Sequence, residues 1–146
     1  MIYKNSYPTV ALLLTMLLTF NISCKEKEDL AEVRNIAESF ADLYFNWRYV
    51  EAMEYVDSSC IQKLRFVASQ VTDNDLRFFL SKENAANVEV MQVVENSSDS
   101  ITVTLLIENF LQKDTIGRPP VLREGQEISI QLARKDKHSP WLVTSW

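Results

Sequence analysis

The chain has 146 residues, 47% of them hydrophobic and 24% charged, with only two glycines and four prolines. That is enough apolar material for one core of ordinary domain size, and it excludes fibrous, low-complexity and wholly disordered classes. A net charge of -5 with the basic residues scattered along the chain excludes the clustered Lys and Arg footprint of a nucleic-acid binder.

Residues 10–20 are apolar apart from two threonines and follow a short region that carries Lys4 and no acid. A bilayer span needs about 20 apolar residues, so this shorter run predicts the apolar core of a secretory signal. The succession of apolar run, Asn21, Ile22, Ser23 and Cys24 resembles the lipobox of bacterial lipoprotein signals, departing from it at Asn21, where an aliphatic residue is usual. The resemblance implies a signal peptide over residues 1–23, a mature chain that begins at Cys24, a diacylglyceryl group on its thiol and an acylated N-terminus, which together anchor a protein stably. An ordinary cleaved secretory signal and an uncleaved anchor are the alternatives. Residues 24–28 then form a tether with a reach of roughly 16–18 Å, which keeps the following domain close to its membrane. By the same resemblance the protein belongs to the bacterial cell envelope, at the outer membrane because Lys25 is not the aspartate that favours inner-membrane retention. Whether it is periplasmic or surface-facing stays open. An acylated Cys24 leaves Cys60 without a disulfide partner. Cys60 therefore reads as a small core residue on the stripe of Ile61, Leu64, Val67, Ala68 and Val71.

The remainder, residues 29–146, reads as one domain. Asp29 and Glu32 have the spacing of a capping box, and Leu30, Val33, Ala37, Phe40, Tyr44 and Trp47 recur on one helical face. Further helical turns are predicted in "YVEAMEYVD" and from Ser59 to about Val71. Thr72 with Asp75 predicts another cap, opening a short helix that buries Leu76, Phe79 and Leu80. After "KENAAN" the period changes to two. Val88, Val90 and Val94 share one phase of a first strand, and Ile101, Val103, Leu105 and Ile107 one phase of a second, with "NSSDS" as the turn between them. A third strand carries Ile128, Ile130 and Leu132, and "WLVTSW" gives a fourth. The connection "LQKDTIGRPPVLREG" is longer than a hairpin needs, with an apolar tip at Val121 and Leu122 suited either to a partner or to covering a sheet edge.

Helices followed by a four-stranded antiparallel meander define an α+β domain with its helices on one sheet face. The order of elements, the long amphipathic first helix, the long connection between the second and third strands and a last strand that opens "PWLV" resemble the nuclear transport factor 2-like superfamily, and within it the small bacterial lipoproteins of unknown function. That resemblance implies a curved sheet closing as a cone around the first helix. Enzymatic members, such as ketosteroid isomerase and polyketide cyclase relatives, place an acid or His inside the cone, where an apolar wall tunes its pKa.

In this sequence no acid falls on an inward phase. Asp42 lies about 160–200° from Phe40, Tyr44 and Val33 on the helical wheel, and Glu89, Glu95 and Glu108 read as a wetted sheet face. His138 stands in the polar turn "KDKHSP". No metal-ligand spacing, phosphate loop or nucleophile elbow is present, and no cofactor is implied. Candidate pocket residues are Tyr44, Trp47, Tyr55, Gln92, Arg134 and Trp141: Gln92 falls between Val90 and Val94, and Arg134 comes opposite Trp141 at cation-π range if the last strands pair across their turn. Such a set suits a small anionic or amphipathic ligand, while simple core filling is the competing account. Met91 and Val93 on the outer sheet face allow a homodimer. The leading expectation is thus a lipid-anchored envelope protein with a non-catalytic domain that binds a small ligand or an envelope protein partner. An isomerase, dehydratase or cyclase of the same fold, and a structural accessory subunit, are the alternatives.

Overall fold

The computed structural model describes residues 29–113 and 117–146. The signal peptide, Cys24 and the tether expected over residues 24–28 lie outside the described residues. Contacts divide the chain between Glu32 and Val33, and every buried core residue among the described ones belongs to the unit Val33–Trp146. Asp29, expected as a helix cap, is itself helical.

The second unit is α+β. Helix α1 occupies residues 33–45, α2 Tyr49–Ala52, α3 Ile61–Ser69 and α4 Asp73–Ser81, with two short 3-10 turns between α2 and α3. Strands β1 (Asn87–Ser97), β2 (Ser100–Gln112), β3 (Val121–Ala133) and β4 (Leu142–Ser145) form an open antiparallel sheet in sequence order. The helical stripe of α1 is as the periodicity requires: Val33, Ala37, Phe40 and Ala41 are fully buried. So is the inner phase of β2, where Ile101, Val103, Leu105 and Ile107 alternate with half-exposed or exposed neighbours. Ile130 and Leu132 of β3 and Val143 of β4 continue the same layer. Phe45 meets Phe110 ring edge to ring face at 5.0 Å, which seats the end of α1 on the sheet. The short last strand is flanked by Val56 and Asp57, which bridge to Val143, and the buried Cys60 thiol donates to the Thr144 carbonyl at 3.2 Å.

Several sequence-based expectations fail for identifiable reasons. In β1, Met91 is an extra residue: Val90 pairs with Leu105, but Gln92 pairs with Thr104. This bulge reverses the phase of the strand. Val93 therefore turns toward the core layer opposite Val103, while Gln92 and Val94 turn outward, against the inward phase expected for both. Helix α4 buries neither Leu76 nor Leu80, which are 43% and 79% exposed. Its packed face runs instead through Asp75 and Phe79, with Lys82 just past its end, because these meet Lys113, the Trp47 ring and the Asn109 carbonyl. The capping box of Thr72 and Asp75 does form. Finally, the long connection expected after β2 is shorter than its sequence suggests, because Leu111, Gln112 and residues 121–125 belong to the strands. Val121 and Leu122 pair with Gln112 and Leu111, and lie on β3 with half-exposed side chains rather than at a loop tip.

Candidate functional site

α1 ends in a helix-closing turn in which Trp47 donates its N–H to the Tyr44 carbonyl and Arg48 to the Leu43 carbonyl, the paired bonds of a Schellman motif. The residue that must turn left-handed in this motif is usually glycine, yet here it is Trp47, at φ 61°. For a bulky side chain that conformation is an outlier worth roughly 1–2 kcal/mol of strain. Surrounding contacts hold it in place: the indole stacks on Phe79 at 5.1 Å and 20°. This also corrects the sequence reading of Trp47 as a continuation of the α1 stripe, since the helix has already ended.

The turned indole forms one wall of a cavity of about 380 Å³. Tyr44 and Phe45 from α1, Tyr49 from α2, Phe66 and Val67 from α3, Val71 after it, Phe110 and Leu111 from β2, Ile128 from β3 and Trp146 make up the rest of the apolar lining. Phe66 is 59% exposed and marks the side on which the cavity opens. Polar groups are few: Gln70, Gln112, Gln126 and Lys113. An apolar concavity with a small number of convergent polar groups is the usual form of a small-molecule site, for which this volume is sufficient.

Burial raises the Tyr44 phenol above its ordinary pKa, an effect opposed by the adjacent Trp146 indole. Burial likewise lifts Tyr49 far above the phenol range, with Tyr44 adding to it. Both side chains therefore stay neutral hydroxyls and can donate or accept without ionising. Lys113 carries the only formal charge among the described lining residues. Its ammonium pairs with the Asp75 carboxylate and donates to the Gln70 carbonyl at 2.8 Å. Asp75 is 2% exposed and also accepts from the Thr72 N–H and hydroxyl at 2.9 and 2.8 Å. Burial alone would raise the Asp75 carboxyl, but Lys113 and Thr72 outweigh it and hold the group below the ordinary carboxylate value.

Of the residues singled out from the sequence, Tyr44 and Trp47 line this cavity. Tyr55 sits half-buried in a 3-10 turn, and Gln92 is exposed on the outer face of β1. Arg134 and Trp141 stand at another place in the sheet, where the guanidinium lies 4.5 Å from the Trp141 ring centroid and bonds to Asp99 and the Ser98 carbonyl across the β1–β2 turn. That pair fastens two hairpins together. Asp42 is exposed, as its helical phase requires, and receives a hydrogen bond from Asn46. Among the described residues no group of His, Cys, Asp and Glu is arranged to hold a metal ion, and no helix is long and apolar enough to cross a membrane. The sequence reading did not single out Tyr49, Phe66, Lys113 or Phe110. Only Phe110 carried a signal, as the apolar residue next to the phase break at Asn109, whose φ of 52° interrupts the alternation of β2.

No protein-family model matches the chain, and no curated protein or solved structure gives a match to it.

Proposed function

We propose that this is a lipid-anchored protein of the bacterial envelope whose domain binds a small ligand without transforming it, and that the domain is a variant of the nuclear transport factor 2-like cone. The observation that carries the binding half is the aromatic-walled cavity with few polar groups in its lining. The bulges at Met91 and Asn96 support the cone, since each extra residue bends its strand. The anchor rests on the lipobox-like run that ends at Cys24, and the outer membrane is the destination that Lys25 supports.

Two measurements test this reading. In a gram-negative host, the wild-type protein recovered from membranes has the mass of residues 24–146 plus acyl groups, and Cys24→Ser abolishes that species. A soluble, unlipidated wild-type product would sink the anchor. For the cavity, the uncharged fluorophore N-phenyl-1-naphthylamine binds saturably at one site. Trp47→Gly keeps the left-handed turn but removes the wall, and it weakens that binding about tenfold. Trp47→Ala removes the same wall and retains the backbone penalty, so it is less stable than Trp47→Gly by about 1 kcal/mol. Unsaturable binding in the wild type, or binding indifferent to Trp47, would refute a ligand site here.

A further inference from the structure

The cavity separates into an apolar body and a polar end, and the polar end has a definite sign. Among the described lining residues Lys113 is the only charged one. The ammonium has three N–H donors. One goes to Asp75 and one to the Gln70 carbonyl, and the third has no partner among the described residues. Gln112 lies beside it with its side-chain carbonyl already accepting from the Arg123 Nε at 2.9 Å, so the end of Gln112 left to a ligand is the donor NH₂. Donors thus face the cavity at this end, and the Asp75 carboxylate is already occupied by Thr72 and Lys113.

Resting on the reading of this cavity as a binding site, we propose that its ligand is a single small amphiphile with an apolar, ring-sized body and one anionic head, and that Lys113 reads the head. Asp75 is the positioning residue. It fixes the ammonium and has already stripped much of its water, for the Lys113 and Asp75 side chains are 15% and 3% exposed. The remaining donor is therefore held in place before the ligand arrives, which removes part of the ordering penalty of binding. An anionic acceptor adds a charge–charge attraction to that hydrogen bond which a neutral acceptor lacks. The body has Trp47, Tyr49, Phe66 and Phe110 to lie against.

The experiment compares two probes of nearly the same shape, 8-anilinonaphthalene-1-sulfonate, which is anionic, and N-phenyl-1-naphthylamine, which is not. Wild-type protein binds the sulfonate about tenfold tighter than the amine. Asp75→Asn leaves the Lys113 charge uncompensated and raises that ratio. The double variant Asp75→Asn/Lys113→Met removes both charges together, so that no carboxylate is left buried alone, and brings the ratio to about one. Equal binding of the two probes by the wild type, or a preference that survives in the double variant, overturns the anionic head while leaving the cavity as a site. If neither probe binds, the binding reading itself fails, which is a different result from failure of the charge.

Discussion

Phe40→Ala should destabilise the domain by about 4 kcal/mol, the largest loss expected from any single truncation of the helical face. Phe40 has no exposed surface. Its ring stacks on Tyr44 at 5.7 Å and meets the Trp146 ring edge-on at 5.1 Å, while Tyr44 also contacts Phe45 and Tyr49. Truncation therefore opens a void beneath the aromatic wall of the cavity as well as removing the transfer energy of one ring. Urea denaturation followed by circular dichroism measures it. Phe40→Leu, which keeps most of the volume, should lose well under half as much. Equal losses for the two variants would show that the site collapses freely and that the packing described for Phe40 does not govern its stability.

Lys113→Met should lower stability by roughly 3 kcal/mol, because it leaves the Asp75 carboxylate buried with only Thr72 as partner. The same substitution on top of Asp75→Asn should cost far less, since no charge is then stranded. A double-mutant cycle in urea reads the difference as a coupling energy, and additive effects would mean that the ion pair contributes nothing. The pH dependence has a fixed sign. Asp75 is held below the ordinary carboxylate value of 3.8 in the folded protein. A group of that kind adds stability above its unfolded pKa and loses it as the pH falls through the folded one. Wild-type stability should therefore fall on acidification below about pH 4, and Asp75→Asn should flatten that part of the profile.

Much of the fold was legible because the relevant signals are local. The alternation of Ile101, Val103, Leu105 and Ile107 is a property of one strand and needs no partner to be read. The Thr72–Asp75 capping box is a contact across three residues, written in the spacing. The phase error in β1 came from Met91, since an extra residue changes which face every later side chain takes and nothing in the apolar pattern marks it. The face of α4 was misread for a related reason. Leu76 and Leu80 have the spacing of a buried stripe, but the contacts that orient this helix are polar or aromatic and lie far away in sequence, at Lys113, Asn109 and Trp47.

The candidate site was less legible still. Tyr44 was recoverable from its helical phase, whereas Trp47 reaches the cavity only because α1 stops two residues before it and the backbone turns left-handed. Lys113 had no distinguishing neighbour in the sequence. By itself, the sequence determined the α+β class, the order of helices and strands, and the residues of the central core layer, because hydrophobic period and capping act within each element. Tertiary structure decided which residues line the cavity and which charge stands at its polar end, because those depend on where separate elements come together, on one inserted residue in β1 and on one strained turn at Trp47.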